Sequence, residues 1–210
     1  MKKGFLITLE GGDGCGKTTQ SRLLADRLRA EGRPVLHTRE PGGTDFAEAL
    51  REIILSPAFK IHPVTEIFLY EASRAQHTEE VIRPALAENK TVVCERYADA
   101  TVAYQGYGRG LDLKMVQALN AAATSGLAPD LTIYLDLPLK EAARRMADKK
   151  KDRLESEGEG FHARVRKGYL AIAKKEPRRF KVISSAGSVE AVGEAVWRAV
   201  QAKLGGRKNV

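Results

Sequence analysis

Residues 11 to 18 read Gly11-Gly12-Asp13-Gly14-Cys15-Gly16-Lys17-Thr18 and continue into Thr19. The spacing, glycine, four residues, then Gly-Lys-Thr, is that of a loop that cradles phosphates. Glycines at 11, 14 and 16 let successive backbone N–H groups turn inward around anionic oxygens. A helix beginning at Lys17 would aim its positive end at the same anion. Lys17 adds a charge on a flexible stem, and the Thr18 hydroxyl is a ligand for Mg²⁺. The chemistry expected is binding of a nucleoside triphosphate.

Two further charged pairs stand where such chemistry would need them. Glu95-Arg96 follows the apolar run Thr91-Val92-Val93-Cys94. A carboxylate there can hold Mg²⁺ directly or through water, and an arginine can fork onto a phosphate. Arg39-Glu40 precedes Pro41-Gly42-Gly43-Thr44, whose proline and glycines set a fixed backbone path and so hold the charges before them in place. Residues 148–160 are the most polar stretch of the chain. They have little to bury and read as a mobile basic lid that would bring in positive charge and exclude water.

These residues need elements to position them. Short runs rich in Val, Ile and Leu predict strands at 4–10, 34–38, 91–95, 131–137 and 180–184, all expected to be buried on both faces. Helical spacing predicts helices at 17–31, 43–55, 64–89, 112–125, 138–150, 160–176 and 188–204. Gly32 closes the first, and Pro84 should end or kink the third near Arg83. Strand and helix alternate throughout. That predicts one α/β domain over 1–210, three layers, with a central five-stranded parallel sheet, helices on both faces and a short basic tail at 205–210. Ligands in such sheets sit at the carboxyl ends of the strands, where Arg39-Glu40 and Glu95-Arg96 fall.

Composition narrows the partners. Lys plus Arg number 35 against 27 for Asp plus Glu, a net charge of +8. The excess lies in several patches, and aromatics are not interleaved with it as a nucleic-acid stacking platform would require, so no nucleic-acid partner is expected. No apolar run reaches the ~18 residues of a membrane span. Met1-Lys2-Lys3 runs straight into the first strand, so no leader peptide is expected. Two cysteines, Cys15 and Cys94, do not suggest a disulfide framework, and a cytoplasmic location fits. His37, His62, His77 and His162 lack metal-ligand spacing. Other readings of the loop are a GTPase switch, for which no Asn/Thr-Lys-x-Asp tetrapeptide is present, and a nucleic-acid-binding ATPase. From the residues alone, the reading is a kinase of a small phosphorylated acceptor.

Taken together, the motifs resemble those of the thymidylate kinase family, of the nucleoside monophosphate kinase group. The matching pieces are Leu9 to Gln20, Thr38-Arg39-Glu40-Pro41-Gly42-Gly43-Thr44, Ser73-Arg74-Ala75-Gln76-His77, Glu95-Arg96-Tyr97 with Ala103-Tyr104-Gln105-Gly106, and Asp152-Arg153-Leu154-Glu155. The resemblance implies transfer of the ATP γ-phosphoryl group to dTMP, with Mg²⁺, by a homodimer. It implies that Tyr70 stacks on thymine, Arg74 donates to a thymine carbonyl and Thr101 reads the N3 edge. It implies that Tyr104 packs where a ribose 2′-hydroxyl would sit, with Gln105 beside it and Arg39 among the acceptor-binding residues. Asp13 would lie near the sugar 3′-hydroxyl and Arg96 on the acceptor phosphate. Gly14 stands where some members carry a basic residue, which points to Arg153 in the lid as the catalytic arginine, beside Lys17 and Arg96. Arg144 would flank the donor adenine. Glu95 replaces a usual aspartate, Ser73 a frequent aspartate and Ala100 a frequent serine. The acceptor phosphate is itself the nucleophile, so no protein nucleophile and no obligatory general base are expected.

Overall fold

The computed structural model describes residues 4–148 and 151–205. Five strands form one parallel sheet in the order β2-β3-β1-β4-β5. They are β1 (Phe5–Glu10), β2 (Val35–Arg39), β3 (Thr91–Glu95), β4 (Leu131–Asp136) and β5 (Phe180–Ser184). Each lies within a residue or so of its expected range. The expectation of burial on both faces holds for β1, β3 and β4 only. β2 is half-buried throughout, and Lys181 and Val182 of β5 are exposed. Both are edge strands, which one face of the fold covers incompletely.

The period-two alternation of β1 sorts its side chains to two layers. Phe5, Ile7 and Leu9 face Leu24, Ala25 and Leu28 of α1 (Lys17–Ala30) and Val192, Val196, Trp197 and Val200 of α9 (Val189–Gly205). Leu6 faces the other way, with Val92, Cys94, Ile82, Ala85 and Tyr97. Tyr134 and Phe180 carry that second layer on to Phe161, Val165, Tyr169 and Ile172 of α8 (Glu159–Lys175). No described helix is long and apolar enough to cross a membrane.

Two helical passages differ from expectation. The third helix does not end at Pro84, and its regular α geometry is interrupted just before Arg83, where an end or kink was expected. It runs as α3 (Pro63–His77), a π turn over Thr78–Ile82 and α4 (Arg83–Ala87). The wider π turn precedes the proline, so the missing N–H and the ring are accommodated without ending the helix. Residues 98–108, for which no helix was expected, form α5 (Ala98–Thr101) followed by a second π turn, Val102–Gly108. Their small residues and glycines hide the helical pattern, and only packing against α8 and α6 (Leu113–Ala123) supplies it. Pro63 begins α3, and Thr44 caps α2 (Asp45–Leu55) by accepting from the Ala47 N–H at 3.1 Å.

The helix expected over 138–150 ends earlier, as α7 (Leu139–Arg145). Of the expected lid, residues 153–156 form turns, and α8 begins at Glu159. They bury more than their polarity suggests. Leu154 is 6% exposed and packs with Tyr104 and Phe161. Asp152 Oδ1 accepts from the N–H groups of Leu154 and Glu155, and Glu155 Oε2 accepts from the Asp152 N–H at 3.0 Å. Lys149, Lys150 and the basic end at Arg207 and Lys208 lie outside the described residues.

Candidate active site

A cleft of about 670 Å³ opens at the carboxyl ends of the strands, and residues 13–20 form one wall of it. The loop's path depends on glycine. Gly14 (φ 76°) and Gly16 (φ 92°) take left-handed conformations. At Gly11 a Cβ would sit 2.5 Å from Cys15 Sγ and 2.8 Å from the Leu135 carbonyl oxygen. Gly16 starts α1 without a side-chain cap, which leaves the first-turn N–H groups as donors for an anion. Lys17 Nζ donates to the Gly12 carbonyl at 2.8 Å and lies 3.6 Å from Asp13 Oδ1. Thr19, in the first turn of α1, also lines the cleft.

Behind the loop, Thr18 Oγ1 donates to Glu95 Oε2 at 2.8 Å, and Ser21 Oγ donates to Glu95 Oε1 at 2.8 Å. Burial acts to raise the Glu95 pKa, but hydrogen bonding from His37, Ser21 and Thr18 outweighs it and brings the carboxyl down to about 2. An ionised carboxylate touching a hydroxyl is a hard-oxygen pair suited to Mg²⁺. The extra methylene of glutamate therefore does not carry the carboxylate out of reach of Thr18. Among the described residues no group of three or more His, Cys, Asp or Glu could hold a metal by itself.

The opposite wall gathers arginines. Arg96 has φ 62°, rare for a residue with a Cβ. Its Nη2 donates to Asp13 Oδ1 at 2.7 Å, and its guanidinium lies 4.9 Å from the centroid of the Tyr104 ring. Its Nη1 is buried with no hydrogen-bond partner. Burial works against the charge of Asp13, but Arg96 and Lys17 prevail and hold its carboxyl below the ordinary aspartate range. Arg39 Nη1 and Arg51 Nη1 both donate to the Pro41 carbonyl, at 3.0 and 2.8 Å, so two guanidinium groups converge on one oxygen. Burial first, and then the nearby charge of Arg39, lower the Arg51 pKa.

Glu10 holds this wall from behind. Its Oε1 accepts from the Tyr97 N–H and its Oε2 from the Tyr169 hydroxyl, both at 2.8 Å. The carboxylate thereby fixes the peptide that follows the strained Arg96. Burial, with help from Asp99 and against Arg96, raises its pKa to about 7.

Tyr70, Arg74, Ala100, Thr101, Tyr104 and Gln105 line the remaining wall. Arg74 is more deeply committed than the sequence suggests. Its Nε donates to Glu40, its Nη1 to Glu71, Thr101 and Asn120, and its Nη2 to the Tyr97 carbonyl. At 2% exposure it is the hub of a buried network, and few of its donors remain for a ligand.

Gly11 and Gly12 stop short of the cleft's lining, and two expected arginines are not brought into it. Arg144 projects outward at 75% side-chain exposure and bonds Glu141. Its neighbour Arg145 turns in, donating to the Gly14 and Ser185 carbonyls. The difference of one position is ~100° of helical rotation, set by how α7 docks. Arg153 is turned away onto Glu66 and the Ile54 carbonyl, whereas Asp152, Leu154 and Glu155 line the cleft. Sequence reasoning also missed Arg51, which carries no motif. Its only signal is its place on the helix that Thr44 caps.

Three comparisons bear on this geometry. A family model described as thymidylate kinase matches residues 9–196. A thymidylate kinase of Synechococcus sp. is 50% identical over 200 residues, covering 95% of this chain and 96% of that one. One from Caldanaerobacter subterraneus is 48% identical over 206 residues, covering 98% and 99%. The crystal structure of thymidylate kinase from Ehrlichia chaffeensis superposes with a TM-score of 0.79 at 35% identity, covering 95% of this chain and 99% of that one.

Arg74→Met should cost about 3–5 kcal/mol of stability, because it strands Glu40 and Glu71 without their buried partner. Urea unfolding measures it, and a loss below ~1 kcal/mol would remove Arg74 from the hub role. Glu10 should make stability depend on pH. Its pKa rises from 4.5 unfolded to about 7 folded, so its burial costs nothing below pH 4.5, and the cost grows to its full value as pH rises through 7. Glu10→Gln keeps an acceptor for the Tyr97 N–H and cannot ionise. Its stability relative to the parent should therefore rise between pH 5 and pH 8, read as the difference in urea midpoints; a difference that does not move with pH refutes this.

Proposed function

The chain belongs to the thymidylate kinase family, and from that premise we propose how its cleft moves the γ-phosphoryl group of ATP onto dTMP to give dTDP and ADP. The observation that carries the reading is Arg96 Nη1. It is a buried guanidinium nitrogen without a partner, on a side chain already fixed by Asp13 beside the phosphate loop. A buried donor left open in this way calls for an anionic ligand.

In this reading the loop N–H groups of residues 11–16 and Lys17 bind the triphosphate, with Thr18 and Thr19 at the start of α1. Arg145 is better placed than Arg144 to lie along the donor. Arg96, with Arg39 and Arg51, grips the acceptor phosphate. Asp13 anchors Arg96 and faces the sugar. Tyr70, Thr101 and Gln105 receive the base, and Tyr104 closes the space beside the sugar. Arg74 fixes the wall that carries Thr101. A magnesium ion on the triphosphate would be held by Thr18 and Glu95 and, when bound, would neutralise phosphate charge.

The chemistry follows from placement. An acceptor phosphate oxygen attacks the γ-phosphorus in line, a new P–O bond forms, and the bond to the β-phosphate oxygen breaks to release ADP. The attacking oxygen is already anionic, so no residue need remove a proton. Lys17, the loop N–H groups and the arginines stabilise charge on the moving group. Arg153 is the lid's arginine and completes that set on closure.

We read the chain as a single kinase domain acting as a homodimer in the cytosol. The apolar side chains left exposed on α2 and α3, Phe46, Ile53 and Phe68, support self-association. The two cysteines are free and buried, which suits a reducing compartment.

Following ADP release with Mg-ATP and a panel of dTMP, dUMP, dCMP, dGMP and AMP tests the base site. dTMP should be the best acceptor and dUMP a weaker one, since a methyl group is worth ~1–3 kcal/mol. Turnover of AMP or dGMP at the dTMP rate would refute the assignment of the base wall. Arg153→Ala should lower kcat by about 10³-fold or more with little change in KM for dTMP; a kcat within a few-fold of the parent removes Arg153 from the reaction.

A further inference from the structure

Glu66 lies one helical turn before Tyr70 on α3 and is fully buried, yet nothing in the transfer reaction uses it. Its carboxylate accepts four hydrogen bonds. Arg109 gives two, from Nε and Nη2 at 3.0 Å each, and Gln105 Nε2 gives one at 2.9 Å. The fourth comes from Arg153 Nη1 at 2.5 Å. Arg109 Nη1 in turn bonds Glu157 at 2.5 Å. Four charges thus alternate, Glu157, Arg109, Glu66 and Arg153. The outer two belong to the 151–158 segment and the inner two to the body of the protein. The Arg153 side chain is 10% exposed.

We propose that Glu66 is a positioning residue that latches Arg153 away from the cleft until the lid closes on the donor. The proposal rests on the reading of Arg153 as the lid's catalytic cation. Glu66 is suited to let go. A buried carboxylate that loses its only partner pays heavily for the unpaired charge. Glu66 without Arg153 still keeps the two-pronged bond from Arg109 and the bond from Gln105, so release leaves no orphan. Burial opposes its charge, but the bonds from Arg109, Gln105 and Arg153 hold the carboxyl below the ordinary glutamate range. Arg153 also has something to gain, because its Nη2 is buried with no partner. Closure would exchange the Glu66 carboxylate and the Ile54 carbonyl for phosphate oxygens that can use both arms of the fork. Gln105 lines the acceptor wall and shares the same carboxylate, so the acceptor site and the latch are in direct contact.

Trypsin reads the latch directly, because it must take the Arg153 side chain into its own pocket to cut before Leu154. Glu66→Gln, which removes the charge but keeps an acceptor, should speed cleavage at that bond about tenfold in the free enzyme while other sites stay at the parent rate. Arg153→Lys retains the trypsin site and leaves Glu66 satisfied by Arg109 and Gln105. It should show the same acceleration, and it keeps the test decisive if Glu66→Gln does not fold. Glu66→Gln should also lower KM for ATP several-fold, because a latched population no longer competes with closure. That drop should vanish in the Arg153→Ala background. No acceleration in either variant, acceleration spread over the whole chain, or an unchanged KM for ATP overturns the latch. If Arg153→Ala leaves kcat near the parent value while cleavage still accelerates, the catalytic reading of Arg153 is what fails.

Discussion

A guanidinium group buried at 2% exposure must have its donors satisfied from every side, and Arg74 achieves this by tying together segments far apart in the chain. Glu40 comes from the turn after β2, Glu71 from α3, the Tyr97 carbonyl and Thr101 from the stretch after β3, and Asn120 from α6. Around this ion the wall of the cleft that carries Tyr70, Thr101 and Gln105 is assembled. His77 adds a bond to the second oxygen of Glu40 and reaches Thr38 through its other ring nitrogen. The buried charge sets geometry more than it adds stability. An arrangement with this many mutual constraints leaves the chain few other ways to place Tyr70, Thr101 and Gln105.

A parallel sheet makes the other half possible. All five strands end on the same side, so β1 delivers Glu10 and the phosphate loop next to Glu95 and Arg96 from β3. Bringing the guanidinium of Arg96 to Asp13 requires a left-handed backbone at a residue with a Cβ, a cost of roughly 1–3 kcal/mol. The Arg96 N–H to the Leu9 carbonyl and the Tyr97 N–H to Glu10 offset it on either side. Arg96 and the acid that steadies its backbone, Glu10, are thus neighbours across two strands, 86 positions apart in sequence.

The polar segment 151–158 is held by the same kind of interaction in a weaker form. Glu66 and Arg109 present one charge of each sign from the body of the protein, and Arg153 and Glu157 answer them. Leu154 supplies the apolar contact between them. Polarity along a sequence therefore does not by itself imply a solvated loop: complementary charges spaced four residues apart can clasp a partner pair.

The phosphate loop, the alternation of strand and helix and the parallel sheet were legible in the chain because each is a local pattern. Glycines at 11, 14 and 16 answer to backbone geometry over eight residues, and strands such as 91–95 announce themselves by an unbroken apolar run. Pairs at strand ends were legible too, since topology carries Glu95-Arg96 to the loop. What tertiary structure decided was direction and commitment. Arg145 faces the loop and Arg144 does not, because the docking of α7 chose the phase. Arg51 joined Arg39 because α2 folds back over Pro41. The helical run 98–108 formed because α8 and α6 pack against it, and Pro84 continued a helix because a π turn precedes it. Whether an arginine meets a ligand, a core carboxylate or a latch depends on which acceptors surround it in space, and the neighbours along the chain do not determine that.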